Sequence, residues 1–210
     1  MVEEQLIARG VSDDRVIAAV RELPREAFLD EEQECHAYED RPLGIGHGQT
    51  ISQPFIAAHM CELCELSGGE RVLEVGAGCG YVAGLLAALA REVFAVEIVA
   101  ALAQRARANL AVLGIDNVRI ESLDGTLGWP EHAPYDVILV SAGAPEVPPL
   151  LLHQLADPGR LVMPVGSRER QRLIVVNRRG DSLETNNDIA VRFVDLTGRY
   201  GCGSGGTAKA

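Results

Sequence analysis

Residues Arg71 to Gly80 have the sequence Arg-Val-Leu-Glu-Val-Gly-Ala-Gly-Cys-Gly, a short apolar run followed by glycines at three alternate positions. The apolar run is typical of a strand that is buried on both faces. Glycine has no Cβ, so Gly76, Gly78 and Gly80 let the backbone turn sharply and come close to a ligand. The stretch therefore predicts a strand, a tight turn and the beginning of a helix.

Two acidic residues flank this glycine turn. Glu97 ends a second apolar run 21 residues after Gly76, the interval at which Rossmann-type folds place a carboxylate on a ribose hydroxyl. The third glycine falls one residue early for the pyrophosphate-binding fingerprint, so a nucleoside ligand without a pyrophosphate fits better. Glu74, within the strand, would repel phosphates but can accept a hydrogen bond from an ammonium group.

Apolar runs and helical patterns alternate along the rest of the chain. The predicted strands lie at 71–75, 92–96, 118–121, 135–140 and 160–165, and the predicted helices at 55–66, 81–90, 99–113 and 148–156. This alternation predicts an α/β fold, a doubly wound and mostly parallel sheet covered on both faces. Two later runs, Leu173 to Asn177 and Ala190 to Leu196, flank a turn at Gly180 and predict an antiparallel C-terminal hairpin on the sheet edge.

An N-terminal helical extension is predicted before the sheet. Residues 2–29 have the pattern of two helices, with Ser12 capping the second and Pro24 ending it. The polar segment from Asp30 to Gly48 is predicted to be a long loop, and Pro54 begins a further helix.

Length and composition indicate one domain. With 210 residues, 47% of them hydrophobic, the chain supports one sizeable core. We expect a single domain over residues 1–200, made of N-terminal helices and a loop at 1–68 and a cofactor-binding sheet at 69–200. The small, glycine-rich residues 201–210 are expected to form a flexible tail.

Composition also limits which binding partners and which cellular location are expected. The formal net charge is −11, with 19 basic against 30 acidic residues, which argues against nucleic acid as a partner. No apolar stretch approaches the ~20 residues of a membrane span, and the acidic N-terminus is unlike a secretory signal. We therefore expect a cytoplasmic monomer with no nucleic-acid or membrane partner.

The five cysteines are expected to be free thiols, since no export signal accompanies them. Cys61 and Cys64 have redox spacing, but they fall inside an apolar helix, where thiols pack as small hydrophobic groups. No second cysteine pair completes a zinc site, so no metal is expected.

Three segments are expected to meet at the carboxyl ends of the parallel strands, where open α/β sheets bind ligands. They are the glycine turn, Glu97 after the second strand, and Asp124 with Gly125 after the third. Asp124 can accept a hydrogen bond from an exocyclic amine such as that of adenine, and Gly125 leaves room for a flat ring. An ordinary Asp-Gly turn is the alternative for this pair.

The order of acid, glycine turn and second acid resembles the S-adenosylmethionine site of the class I methyltransferases. A glycine-rich turn in another doubly wound domain is the alternative that this motif leaves open. The stretch from Gly46 to Pro54, Gly-His-Gly-Gln-Thr-Ile-Ser-Gln-Pro, is more distinctive. It closely resembles the signature of the protein-L-isoaspartate O-methyltransferases, which methylate the stray α-carboxylate of isoaspartyl residues in damaged proteins.

This resemblance spans residues 1 to about 198. Beyond the signature it is carried by Arg9 to Val11, Val20 to Phe28, Ala37 to Asp40, Val140 to Pro149, Arg160 to Gly166 and Val191 to Thr197. It implies the class I methyltransferase fold, S-adenosyl-L-methionine as the cofactor, and isoaspartyl proteins and peptides as substrates.

The resemblance also implies roles for individual residues. Ser52 occupies the position of the family's active-site serine, and Thr50 and Ile51 belong to the backbone that closes over the cofactor. The positions that match the family's cofactor contacts are Glu74 and Gly76 for the methionine part, with Gly78 in the same turn, Glu97 for the ribose, and Asp124 with Gly125 for the adenine. Thr197 matches a threonine that lines the substrate side, and His47, near the start of the signature stretch, can touch substrate.

Methyl transfer to a carboxylate requires few catalytic groups. The acceptor is already ionised at neutral pH, because its reference pKa is about 3.5 to 4, and no general base is needed. The protein has to supply alignment in a dry pocket. Ser52 is expected to aim the carboxylate by one hydrogen bond, and no His and acid are placed around it as in a triad. An N-cap of the helix that begins at Pro54 is a second possible role for Ser52.

The chain departs from the family pattern at several positions. Ala77 and Cys79 stand where Thr and Ser are usual, Leu123 replaces a Gly, and Asp195 replaces a Pro. The first two changes remove hydroxyls near the cofactor, which would lower its affinity. Two alternatives stay open: a methyltransferase with a different carboxylate acceptor, and a non-catalytic protein that binds S-adenosylmethionine.

Overall fold

A computed structural model describes residues 1–202 of the chain. The strands are β1 (Leu43–Gly44), β2 (Thr50–Ile51), β3 (Arg71–Val75), β4 (Glu92–Val96), β5 (Val118–Glu121), β6 (Tyr135–Val140), β7 (Leu155–Ser167), β8 (Arg170–Arg179) and β9 (Ser182–Val191). The α-helices are α1 (Asp14–Glu22), α2 (Glu31–Glu34), α3 (Pro54–Leu63), α4 (Tyr81–Leu89), α5 (Ala100–Val112) and α6 (Pro149–His153). Short 3-10 turns lie at Ile7–Arg9, Arg25–Phe28, Gly125–Leu127 and Pro130–His132, and a π-helical turn lies at Val2–Leu6.

Within residues 1–202, seven strands form one sheet in the order β5-β4-β3-β6-β7-β8-β9, and β1 pairs with β2 in a separate ribbon. The strands from β5 to β7 in this order run parallel, whereas β7, β8 and β9 pair antiparallel. The predicted mostly parallel sheet with an antiparallel C-terminal end is therefore confirmed. The strand order changes direction between β3 and β6, which is where such sheets open a ligand crevice at their carboxyl ends.

Alternate residues of the central strands supply two hydrophobic layers. Val72 of β3 packs into the layer that also contains α1, α3, α4 and α5. Leu73 and Val75 of the same strand pack into the opposite layer with Leu151 of α6. Burial on both faces explains why these strands are continuous apolar runs in the sequence.

The second strand of the C-terminal hairpin differs from the prediction. It is β9, which follows the turn at Gly180 and pairs with β8, and not the segment from Ala190 to Leu196. Of the ten residues of β9, seven are exposed and six are polar, so backbone pairing with β8 forms this strand without a hydrophobic pattern. Residues 192–196 instead reach the loop after β6, where Leu196 donates its N–H to the carbonyl oxygen of Gly143 at 2.7 Å.

The N-terminal helices also differ from the prediction. The side chain that caps α1 is Asp13, which accepts two backbone N–H groups of the first turn. The predicted cap by Ser12 is wrong: both residue types can cap, and the Ser12 hydroxyl donates to Glu62 instead. The first predicted helix consists only of the short turns at Val2–Leu6 and Ile7–Arg9.

Three further boundaries differ from the prediction. The expected loop from Asp30 to Gly48 contains α2 and β1. Helix α6 is shorter than the predicted span of 148–156, because β7 already begins at Leu155 and pairs there with β6. Strand β7 also extends to Ser167, since its second half pairs with β8.

The predicted flexible tail falls mostly outside the described residues, which end at Cys202. Cys202 itself donates its N–H to the carbonyl oxygen of Leu196 at 2.8 Å. Among residues 1–202, no helix combines the length and the hydrophobicity that crossing a membrane requires.

Candidate functional site

The loops at the carboxyl ends of the parallel strands surround a narrow cavity of about 50 Å³. Its walls bring together several of the predicted site residues, namely Thr50, Gly76, Gly78, Glu97, Gly125 and Thr197. A second cavity of about 30 Å³ shares part of this wall and is also lined by Ile51, Ser52 and Glu74. The predicted convergence of these segments is therefore present.

The glycine turn after β3 depends on backbone angles that other residues rarely adopt. Gly76, Gly78 and Gly80 have φ angles of +88°, +54° and +93°. Gly76 donates its N–H to the carbonyl oxygen of Val96 at 2.8 Å, which ties the turn to β4. A Cβ at Gly80 would lie 3.1 Å from the Cβ of Ala106, so glycine also lets α4 and α5 pack closely.

Glu97 is fixed beside this turn by backbone hydrogen bonds. Its carboxylate oxygens accept the N–H groups of Gly78 and Val99, each at 2.9 Å, and the residue is buried. Each oxygen keeps a second lone pair, so the carboxylate can also accept a hydrogen bond from a ribose hydroxyl.

Glu74 is a fully buried acid next to the same turn. One carboxyl oxygen accepts the hydroxyl of Ser141 at 3.2 Å. The other, Oε2, has no hydrogen-bond partner within residues 1–202. Burial raises the pKa of Glu74 to about 8, and the nearby Glu97 carboxylate adds to the rise while the Ser141 bond opposes it. A buried acceptor without a partner is costly and suits a ligand that carries a positive charge.

Asp124 holds two segments of its own chain. Its Oδ1 accepts the N–H and the hydroxyl of Thr126 at 2.9 and 2.6 Å, and its Oδ2 accepts the N–H of Arg199 at 2.8 Å. The Asp-Gly turn that the sequence left open is therefore present. Gly125 lines the cavity, and a Cβ there would lie 2.5 Å from Cγ1 of Val75, so packing against β3 also requires glycine. The adenine contacts of both residues stay predictions.

Ser52 lines both the cavity of about 30 Å³ and a larger groove of about 760 Å³. Within residues 1–202 its hydroxyl has no hydrogen-bond partner, and only its carbonyl oxygen is bonded. Helix α3 has Gln53 at its N-cap position and no side-chain cap, so the suggested capping role of Ser52 is wrong. The hydroxyl is therefore free to bind a ligand in the groove.

Arg25 is a candidate functional residue that the sequence analysis missed. Its side chain is fully buried and donates to the carbonyl oxygens of Ala37 and Ser52, each at 2.7 Å. Its guanidinium carbon also lies 4.8 Å from the ring centre of Tyr81. Arg25 thus fixes the backbone that carries the Ser52 hydroxyl. In the sequence its only signal was its place in a stretch that resembles the family.

Two residues predicted on the substrate side lie outside the groove lining. His47 is exposed in the turn between β1 and β2, with a φ angle of +53°. Thr197 is exposed and lines the cavity beside the glycine turn. Substrate contact by either residue stays a prediction.

The cysteine pair in α3 and just after it is buried. Burial raises the pKa of Cys61 well above its ordinary value and that of Cys64 to about 12. Such thiols keep their protons at neutral pH and are poor nucleophiles and metal ligands. These shifts support the interpretation of both cysteines as packing residues.

A family model for protein-L-isoaspartate(D-aspartate) O-methyltransferase matches residues 1–201. The chain belongs to the protein-L-isoaspartate O-methyltransferase family. A protein-L-isoaspartate O-methyltransferase of Rhodopseudomonas palustris is 53% identical over 206 residues, which cover 97% of this chain and 84% of that protein. Another, of Syntrophobacter fumaroxidans, is 50% identical over 96% of this chain and 94% of its own length.

Solved structures of the same family share the fold. A protein-L-isoaspartate O-methyltransferase structure matches with a TM-score of 0.86 and 34% identity, over 96% of this chain and 67% of that chain. A structure from Plasmodium falciparum, assigned to the same enzyme and in complex with S-adenosyl-L-homocysteine, matches with a TM-score of 0.81 and 27% identity, over 93% of this chain and 96% of that chain.

S-Adenosylmethionine is the cofactor of this family, and the acceptor groups of the crevice fit it. The unpartnered Oε2 of Glu74 suits a cationic group, and the remaining lone pairs of Glu97 suit ribose hydroxyls. The cavity of about 50 Å³ is smaller than ligand pockets of roughly 300–1,000 Å³.

Proposed function

We propose that this protein transfers a methyl group from S-adenosyl-L-methionine to the free α-carboxylate of L-isoaspartyl residues in damaged proteins and peptides. The observation that carries the proposal is the position of the unbonded Ser52 hydroxyl, between the cofactor cavity and a groove large enough for a peptide. Family membership over nearly the whole chain supports it. Formation of this methyl ester is the first step of repair.

The residues of the chain bind and align the reactants. When bound, the cofactor supplies a methyl group on a positively charged sulfur. Glu97 and the glycine turn hold the nucleoside, and Ser52 donates a hydrogen bond that aims the acceptor carboxylate. Because that carboxylate is already ionised at neutral pH, no residue has to remove a proton. Rate enhancement then comes from orientation and from exclusion of water by the segment around Thr50.

Glu74 changes its protonation when the cofactor binds. With a pKa of about 8, its carboxyl group is mostly protonated in the free protein at neutral pH. A cationic ligand beside it favours the ionised form, so cofactor binding releases a proton. The buried acid thereby supplies a negative charge only when the positive charge of the cofactor is present.

Arg25 acts through Ser52. The two guanidinium hydrogen bonds, to the carbonyl oxygens of Ser52 and Ala37, join the Thr50-Ile51-Ser52 segment to the N-terminal part of the chain. Arg25 is therefore a positioning residue for the hydroxyl that binds substrate.

We further propose that residues 1–200 act as one domain, as a cytoplasmic monomer whose partners are isoaspartyl proteins and not nucleic acid or membranes. The hydrophobic layer that joins α1 to the sheet supports the single domain. The net charge of −11 supports the absence of nucleic-acid binding. Sedimentation equilibrium would test the monomer, and a second species at twice the mass would contradict it.

The decisive experiment uses two short peptides that differ only in an aspartyl or an isoaspartyl residue. With labelled S-adenosylmethionine, we expect label on the isoaspartyl peptide alone, and much less with the Ser52→Ala variant. Cofactor binding is measured on the same preparations. Cofactor binding without labelling of either peptide would contradict the proposal and favour a different acceptor or a non-catalytic binding protein.

A further inference from the structure

The groove next to Ser52 has an unusual charge for this protein. Its lining contains three arginines, Arg9, Arg168 and Arg192, and neither Asp nor Glu. The chain as a whole has 30 acidic and 19 basic residues. The average composition of the chain does not explain a basic groove on an acidic protein.

The three arginines differ in the ion pairs and hydrogen bonds that they form. Arg9 forms an ion pair with Asp40 at 2.8 Å and lies 3.6 Å from the ring centre of Phe55. Arg168 forms a long, solvent-exposed ion pair with Asp195 at 3.8 Å, beyond hydrogen-bond distance, and its side chain is 83% exposed. Arg192 is exposed and forms neither a hydrogen bond nor an ion pair within residues 1–202. Two cationic groups of the groove are therefore available to a ligand.

The rest of the groove is suited to the backbone of an extended peptide. Phe55 and Ile56 of α3 form apolar lining, as do Ile189 and Phe193 of the other wall. That wall includes the end of β9, which is the last strand of the sheet and pairs only with β8 among the described strands. An edge strand of this kind can bind an extended peptide segment, whose alternate side chains contact the protein.

We propose that the groove selects isoaspartyl segments with acidic side chains next to the isoaspartyl residue, and that Arg168 and Arg192 bind those side chains. This inference rests on the proposed function and specifies its substrate class. The net charge of −11 repels acidic segments at long range, so local cations are needed to make such segments acceptable. Arginine also pairs with carboxylates in a directed, two-pronged geometry.

The test compares three isoaspartyl peptides that carry Glu, Gln or Lys on both sides of the isoaspartyl residue. Methyl transfer is measured as kcat/KM for each at low ionic strength. Because exposed ion pairs contribute little individually, we expect a preference for the Glu peptide over the Lys peptide of roughly threefold to tenfold, mostly in KM. The preference should disappear at about 1 M salt, where the screening length is about 3 Å.

Variants locate the source of this preference. Arg168→Ala combined with Arg192→Ala should remove it, and Arg192→Glu should reverse it in favour of the Lys peptide. Arg179→Ala is the matched control, because Arg179 is exposed and does not line the groove, and its side chain makes no hydrogen bond or ion pair within residues 1–202. This control should keep the preference of the unmodified protein.

The possible failures are distinguishable. If the Gln peptide is methylated but Glu and Lys peptides are used equally, the charge inference is overturned and the proposed function stands. The same holds if the preference survives in the double variant. If none of the isoaspartyl peptides is methylated while the cofactor binds, the proposed function fails, and the inference fails with it.

Discussion

The cofactor crevice and the peptide groove use their polar groups in different ways. In the crevice, Glu97 and Asp124 bind backbone N–H groups of their own chain in addition to any ligand. In the groove, the Ser52 hydroxyl and Arg192 have no partner within residues 1–202. Changes in the crevice should therefore disturb both local structure and cofactor binding. Changes in the groove should affect methyl transfer while the fold and cofactor affinity stay as they are.

Replacement of Arg25 should have the largest effect, because this buried residue holds the backbone of Ser52 in the groove. It should therefore disturb both the fold and methyl transfer. Arg25→Met removes the donor to the carbonyl oxygens of Ala37, which is buried, and Ser52, which is partly buried, and we expect the free energy of unfolding to fall by about 2–4 kcal/mol. Methyl transfer should fall as well, since Ser52 loses its backbone anchor. Denaturant unfolding and kcat, measured below the unfolding transition, check both effects.

Arg25→Lys and Arg21→Met are the controls for this change. Lysine keeps a cationic donor and should recover part of kcat, whereas Arg21 is half exposed and its replacement should be nearly silent. If Arg25→Met were as stable and as active as Arg21→Met, the anchoring role would be wrong.

Glu97→Gln tests the crevice alone. The amide group of glutamine would face an N–H donor of Gly78 or Val99, so one charge-assisted hydrogen bond is lost. We expect the cofactor Kd to rise about tenfold to hundredfold, with transfer largely recovered at saturating cofactor. Isothermal titration calorimetry measures the affinity, and Glu121→Gln, at an exposed position, is the control. An unchanged Kd would show that Glu97 does not bind the ribose.

Ser52→Ala tests the groove alone. Because the hydroxyl has no partner within residues 1–202, its removal should leave Tm and cofactor Kd unchanged. We expect kcat/KM for an isoaspartyl peptide to fall about tenfold, the value of one hydrogen bond to a charged group. Ser52→Thr keeps a hydroxyl and should retain more activity. Equal activity of the Ala variant and the unmodified protein would contradict the assigned role.

The crevice contains the buried acid Glu74, whereas the lining of the groove contains no acid within residues 1–202, so the pH dependence of cofactor binding tests the crevice. Below pH 8 the Glu74 carboxyl is protonated, and binding has to release that proton. Cofactor affinity should therefore rise about threefold to tenfold from pH 7 to pH 8 and level off above it. Glu74→Gln should flatten this profile, and a steep profile in that variant would assign the proton to another group.

Glu74 also makes the stability of the free protein depend on pH. Its contribution to stability falls as pH rises, whereas cofactor affinity increases. The folded pKa of about 8 lies above the ordinary value of 4.5, so the free protein binds this proton more tightly than the unfolded chain does. The free energy of unfolding contributed by Glu74 should therefore fall as pH rises from 4.5 to 8. Unfolding of the unmodified protein and of Glu74→Gln across this window checks the sign.

Most of the sheet and the crevice could be predicted because local sequence determines them. The strand and glycine turn of Arg71 to Gly80 combine an apolar run with glycines, which adopt the required positive φ angles without strain. Strand β9 could not be predicted in the same way, because most of its residues are exposed and only pairing with β8 makes them a strand. The register of a hairpin depends on both paired segments, and the sequence of one segment alone does not determine it.

The groove was harder to predict than the crevice. The burial of Arg25 and the arginine lining depend on residues that are distant in the chain, from Arg9 to Arg192. No spacing rule connects such positions. The place of Ser52 in a family signature was the only guide to this side of the site, and it gave neither the charge of the groove nor the anchor of the serine.

The most direct test of the central claim is a competition reaction. Equal amounts of the aspartyl and isoaspartyl peptides react in one tube with S-adenosylmethionine, and fragmentation in a mass spectrometer locates the added methyl group. We predict a methyl ester only on the free α-carboxylate of the isoaspartyl residue. A methyl group on both peptides or on another side chain, or no methylation while the cofactor binds, would contradict the account.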